Sequence, residues 1–350
     1  MSLRVFPVDT CARQTEFLLL AKAVCTGDPF CIPAAENVPQ DGESFLVFDG
    51  SRPVARCCAR LQTGNPGIGT IGAFHAFDHP SAAEALLATA AERLKACGAR
   101  KIIGPMDGDT WHAYRFNTGP FDIPPFAREP WNPPYYPDLW QRAGFAVMET
   151  YDSFLVDDPA LAAAHQEKYY RRCLKNGYLF HSLTTANLIE SLPLLYDLSC
   201  RIFADNILYT PIRYETFQSL YLPARRLLAP GLSWIAYQRD GVPAGYVFTF
   251  PDFAAALRAM RGTTGPLAKL CFLLNKRRAF RTCVKTLGVI PEARGAGLAA
   301  ALMHLSFANS VSLGYSQSLM CLMHSANPSR RLGGQADRPF RSYALYEYVK

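Results

Sequence analysis

The chain is predicted to be an α/β protein of mixed α+β type, built as two related domains. Each domain is expected to hold a twisted, mostly antiparallel sheet flanked by helices. Three observations lead there. The chain has 350 residues, about half of them hydrophobic, more than one compact core comfortably absorbs. A hairpin, then strand, helix and strand, is legible in both halves. The stretch TCVKTLGVIPEARGAGLAAAL, residues 282–302, reads as strand, tight glycine loop and helix start.

Taken in order, 4–8 is a first strand and 14–25 an amphipathic helix, broken by Asp28-Pro29 and Ile32-Pro33. Residues 44–49 and 53–61 form a hairpin across Gly50-Ser51, 67–76 a further strand, and 80–97 an Ala/Leu-rich helix. A short strand spans 100–103. Residues 106–129, rich in Gly, Pro and aromatics, form a long loop. It is either a wall of an acceptor site or a surface excursion pinned by Trp111 and Phe121. A helix follows Asn132 and ends at Gly144-Phe145, and 149–157 is the last strand of a first domain, 1–157. Residues 158–177 are a charged helical connector. Its Lys168, Arg171, Arg172 and Lys175 complement the helix dipole as a solvated face.

The second domain, 178–350, opens with a strand and two helices, 187–204 and 214–222, the first interrupted by Pro193. A hairpin turns at Asp240-Gly241. Residues 251–281 are an inserted arm with seven basic residues around an apolar run, 267–274. It either meets ligand phosphates or covers one side of the sheet. After the glycine loop come a helix, 299–313, a strand, 318–323, and a closing strand, 341–348.

There is no run of eighteen apolar residues and no signal peptide in MSLRVFPVDT, so the expected location is the cytoplasm. The eleven cysteines show no C-x-x-C spacing and are expected to be free thiols. No metal site is expected. The net charge of +7 suits a polyanionic cofactor as well as nucleic acid.

The glycine loop carries the chemistry. A strand, glycines and a helix N-terminus gather backbone N–H groups and the positive end of a dipole around an anion. Gly295 and Gly297 let backbone approach it closely. Walker A is excluded because Leu298 follows Gly297, and the dinucleotide fingerprint because the glycines follow an Arg late in the chain. Arg294-Gly295-Ala296-Gly297-Leu298-Ala299 fits R-x-x-G-x-A and resembles the pyrophosphate-binding loop of the GNAT superfamily of acyl-CoA N-acyltransferases.

That resemblance implies two GNAT-like domains, the second binding acetyl-CoA or another acyl-CoA as co-substrate. It implies that Leu287, Gly288 and Val289, on a strand that splays from its neighbour, hold the pantetheine arm. It also implies that Asn327 and Ser329 begin a second CoA element. The superfamily's thiolate-protonating Tyr is absent beyond Asn327, where Arg330, Arg331, Leu332 and Gly333 stand. Tyr343 and Tyr346 are the substitutes to test, and His324 is a candidate base. Cys321, on an alternating strand, reads as core. In the first domain the corresponding loop, Phe77-Asp78-His79-Pro80-Ser81, has no Gly or Arg and carries Asp78, so that domain is expected to be degenerate.

The expected function is transfer of an acyl group, acetyl foremost, to the amine of a small-molecule or peptide-like acceptor. A Fem-type aminoacyl-tRNA-dependent peptidyl transferase and a non-catalytic CoA sensor are the alternatives. No nucleic-acid or membrane partner is expected, and the oligomeric state is open.

Overall fold

The computed structural model describes residues 2–31, 37–333 and 339–350. Ile32-Pro33 and Gly334 fall outside them. The chain separates into two compact units that do not follow a single cut. One comprises 1–150, 257–272 and 342–350, the other 151–256 and 273–341.

In the first unit the strands run in the order β1 (Leu3–Pro7), β2 (Glu43–Asp49), β3 (Arg52–Gln62), β4 (Asn65–Ala76), β5 (Lys101–Gly104) and β13 (Arg341–Tyr348). A short β6 (Phe116–Gly119) also pairs with β13. β1 to β4 are antiparallel neighbours. The β4–β5 pair is parallel, with α2 (Pro80–Ala96) as its crossover. α2 buries Ala82, Ala83, Leu86, Leu87, Ala90, Ala91 and Leu94, the i, i+4, i+7 face its sequence dictates. That face meets an aromatic cluster of Phe74, Phe116, Tyr136, Trp140 and Phe145. Tyr136 and Trp140 come from α3 (Tyr136–Arg142). The long loop 106–129 is therefore pinned by buried Phe116, whereas Trp111 and Phe121 are only partly buried.

Cys25, at the end of α1 (Cys11–Cys25), is joined to Cys31 with a Cα separation of 5.6 Å. This corrects the expectation that every thiol is free. The turn through Gly27, at φ +91°, brings the two together. The other nine cysteines are free.

In the second unit the order is β7 (Phe145–Val156, from Tyr151 onward), β12 (Gln317–His324), β11 (Arg281–Val289), β10 (Pro243–Pro251), β9 (Ser233–Tyr237) and β8 (Leu179–Leu183). All neighbours are antiparallel except β11 and β12, which are joined by α9 (Leu298–Ser312). α4 (Pro159–Lys175) packs along α9, where His304 Nδ1 lies 2.9 Å from the Ala163 carbonyl and its ring stacks on Tyr170. Pro193 does not end α5 (Leu188–Phe203). It lies on the exposed side, so the carbonyl it deprives of a partner, that of Ile189, reaches solvent. α6 is Tyr214–Tyr221. Cys283 and Cys321 are both buried core residues, and burial raises the Cys283 thiol well above its ordinary range.

The inserted arm holds α7 (Ala254–Ala259), α8 (Pro266–Asn275) and a 3₁₀ turn, Lys276–Arg278. At its root Arg281 Nε donates to Asp252 Oδ2 at 2.7 Å, and both side chains are largely buried. Asp252→Ala would leave that guanidinium without its carboxylate. It is expected to lower stability by about 3–5 kcal/mol, read from urea unfolding, while Asp252→Asn costs less because the hydrogen bond survives.

Candidate functional site

Two adjoining clefts lie in the second unit. The first, about 570 Å³, is lined by the glycine loop, the first turn of α9 and one face of α4. Its loop residues are Val289, Ala293, Arg294, Gly295, Gly297, Leu298, Ala299 and Ala300, while Leu287, Gly288 and Ala296 are not in its lining. The second, about 1180 Å³, is lined by the end of β7, the start of α4 and the segment 325–331, including Asn327. His165 and Arg331 line both.

The loop geometry follows from its composition. β11 ends at Val289, and a 3₁₀ turn, Pro291–Ala293, leads to Arg294. Gly295 and Gly297 then take φ values of +83° and +87°, in the left-handed region that glycine adopts without strain. Gly297 is the N-cap of α9, and no side chain caps that helix. Its first-turn N–H groups and its positive dipole end thus lie at the cleft. Among the described residues, the side chains lining the cleft include Lys168, Arg172, Arg294 and Arg331 and no carboxylate. Its charge and its bare backbone are complementary to an anion.

β11 pairs with β10 along its length, with Leu287, Gly288 and Val289 opposite Val247, Tyr246 and Gly245. Its parallel pairing with β12 covers only Arg281–Val284. The two strands part before Leu287, the splay that the resemblance implies. Gly288 is needed for packing: a Cβ there would stand 2.5 Å from Ile202 Cγ2 of α5. β12 carries a register shift between Met320 and Met323, where Leu322 sits at φ +57° and its N–H donates to Ser153 Oγ at 3.0 Å.

The contribution of α4 departs from the sequence reading. Lys168 and Arg172 were read as a solvated face, yet both line the cleft. Arg172 Nη2 donates to the Ala296 carbonyl at 2.7 Å, binding the connector helix to the glycine loop. His165, Lys168, Tyr169 and Arg172 fall at i, i+3, i+4 and i+7, a single helix face, and that spacing was the signal available in the sequence. Arg171 lies off it, paired with Glu167 at 2.7 Å. The arm 251–281 contributes no residue to the lining of either cleft.

The remaining candidates are dispersed. Asn327 Oδ1 accepts from the Ser329 N–H at 3.0 Å and from its hydroxyl at 2.8 Å, opening the short turn 328–333. His324 ends β12, edge-on to Tyr151 at 5.2 Å between ring centres. Its Nδ1 accepts from the Ala326 N–H at 3.2 Å, so the neutral ring carries its proton on Nε2 and is a donor there. The neutral ring so held offers a hydrogen bond from Nε2 and no free basic nitrogen. Tyr343 and Tyr346 lie buried in the first unit's sheet. Tyr343 donates to Glu129, and burial pushes Tyr346 up to about 12. Among the described residues no cluster of three His, Cys, Asp or Glu side chains is placed to hold a metal, and no helix is long and apolar enough to cross a membrane.

The first unit's counterpart loop is closed. At the end of β4 the Ala76 N–H donates to Tyr136 Oη at 2.9 Å, and Tyr135 Oη donates to the Ala76 carbonyl at 3.0 Å. His79 caps α2 by accepting from the Ala82 N–H, and Arg52 stacks on Phe77. Three backbone groups at this position, the Ala76 N–H, the Ala76 carbonyl and the Ala82 N–H, are thus held by side chains.

No known family profile matches the sequence. In structure, the chain resembles a tandem GNAT protein from the clavulanic acid biosynthesis pathway, with a TM-score of 0.54 and 13% identity. The match covers 99% of this chain and 98% of that one. A GCN5-related N-acetyltransferase from Sphaerobacter thermophilus matches over 99% and 95% of the two chains, with a TM-score of 0.52 and 13% identity. The fold is thus that of the GCN5-related N-acetyltransferases, along nearly the whole chain. In sequence, a bacterial ceramide synthase from Caulobacter vibrioides (strain NA1000 / CB15N) is 23% identical across 99% of this chain and 97% of that protein.

A Cβ at Gly297 would stand 2.5 Å from Arg172 Nη2 and 2.8 Å from Tyr169 Cδ1, whereas one at Gly295 meets nothing within 4 Å. A Cβ at 297 thus meets α4 first, and the positive φ adds strain. Gly297→Ala is expected to lower stability by about 1–3 kcal/mol by displacing Arg172 or Tyr169 and straining a positive φ. Gly295→Ala should cost less, from strain alone. Urea unfolding followed by circular dichroism gives both values.

Proposed function

We propose that the chain is an acyl-CoA-dependent N-acyltransferase whose second unit holds the CoA. The carrying observation is the cationic, carboxylate-free cleft at the glycine loop, beside a strand whose pairing with its neighbour ends before Leu287. Backbone N–H groups of the loop and of α9, with Lys168, Arg172 and Arg294, receive the pyrophosphate. Leu287, Gly288 and Val289 flank the pantetheine, and Asn327, which holds Ser329 through Oδ1, lines the adjoining cleft. The amine attacks the thioester carbonyl, the nitrogen loses a proton as the amide forms, and the carbon–sulfur bond breaks to a thiolate that takes up a proton and leaves as the CoA thiol. His324 is proposed to donate a hydrogen bond from Nε2 to the departing sulfur.

The acceptor is proposed to be a long-chain amine. The full-length likeness to a ceramide synthase favours it over a small polar or peptide-like amine, and a ceramide is itself the amide of such an amine. The Fem-type alternative is disfavoured because an enzyme drawing on charged tRNA needs no pyrophosphate loop.

Calorimetry with acetyl-CoA and with long-chain acyl-CoAs is expected to give one site per chain. Two equal sites, or none, would sink the reading. Release of free thiol in the presence of a sphingoid base, but not of a short polyamine, supports the long-chain acceptor, and the reverse preference removes it. His324→Ala should lower kcat about tenfold or more with KM little changed. An unchanged kcat would remove His324 from the reaction.

A further inference from the structure

The arm between β10 and β11 presents its leucines to solvent. In the ten residues of α8 only Ala268 is fully buried. Leu267, Leu270, Leu273 and Leu274 are 74%, 51%, 52% and 68% exposed, and Phe280 just beyond is 54% exposed. The sequence reading allowed an amphipathic helix covering the sheet, but these side chains cover nothing within the chain. At 100° per residue the four leucines occupy about a third of the helix circumference, one contiguous stripe. Isolated exposed leucines are ordinary, whereas a stripe of four on one short helix marks a docking surface.

The charges beside the stripe are of one sign. From Phe253 to Pro291 the sequence has no Asp or Glu. Arg258 and Arg281 are engaged with the Pro125 carbonyl and with Asp252. Arg261, Lys269, Lys276, Arg277 and Arg278 are all exposed. Lys269 borders the stripe, and the three residues of the 3₁₀ turn follow its end. A second copy of the chain docking symmetrically through this arm would set lysines and arginines against their own equivalents, which is repulsive.

We propose that this arm docks on the surface of an anionic lipid bilayer. α8 lies in the plane of the interface with its leucines among the acyl chains, and Lys276, Arg277 and Arg278 meet the phosphate headgroups. Neither contact needs a residue that lines the clefts. The inference departs from the expectation of no membrane partner, and it does not depend on the acyl-transfer reading.

The test uses the full chain and vesicles of phosphatidylcholine alone or mixed in equal parts with phosphatidylglycerol. Co-sedimentation is expected with the mixed vesicles, weakened by salt, and little with phosphatidylcholine alone. Replacing Leu267, Leu270, Leu273 and Leu274 together by Ser, or Lys276, Arg277 and Arg278 together by Glu, is expected to lower partitioning at least about tenfold. Circular dichroism melts should be unchanged, since these side chains are exposed. Three results would overturn the proposal: no binding to mixed vesicles, binding that both variants retain, or a dimer in light scattering that the leucine variant dissociates. The last would assign the stripe to self-association.

Discussion

The second unit is organised around bare backbone at the junction of β11 and α9. An anion can be held by N–H groups only where no side chain intervenes and where the local backbone turns left-handed. Gly295 and Gly297 meet both conditions. The two glycines have no side chains to pack, although Ala293 and Leu298 on either side are buried. Further fixing comes from α4, through Arg172 on the Ala296 carbonyl and through packing so close at Gly297 that a methyl group would not fit. One arginine thus supports the loop while adding positive charge to the space it encloses.

The two units show the same architectural position resolved in opposite ways. In the second, β11 parts from β12 and leaves room beside Leu287 to Val289. In the first, the end of β4 is closed by two tyrosine hydroxyls and the following helix is capped by His79. Burial pushes Tyr135 up to about 12, so that hydroxyl stays protonated at physiological pH and keeps donating to the Ala76 carbonyl. A buried backbone group must be satisfied by something, and whether ligand or side chain satisfies it separates a binding site from a scaffold.

What was legible in the sequence was local. The hairpins at Gly50-Ser51 and Asp240-Gly241, the α2 face and the Arg294–Ala299 loop are each specified within about a dozen residues, and each is where the sequence placed it. What was hidden needed partners distant in sequence. Arg172 and Ala296 are 124 residues apart, so a cation on a connector helix looked like a dipole complement. The return of β13 to the first unit, beside β5, leaves no mark on its own alternating residues. The arm's apolar run was visible, but burial is a property of what surrounds a side chain, and nothing in Leu267 to Leu274 announces that no neighbour covers it.

Every residue lining the glycine-loop cleft belongs to the second unit. Ligand free energy therefore enters the unfolding equilibrium of that unit and not, directly, of the other. At a hundredfold excess over Kd this amounts to about 2.7 kcal/mol. Were the two units to unfold in separate steps, saturation with ligand would displace the step that belongs to α4, α9 and their sheet and leave the other at its own midpoint, so that occupancy would be recorded as a widening of the interval between two transitions.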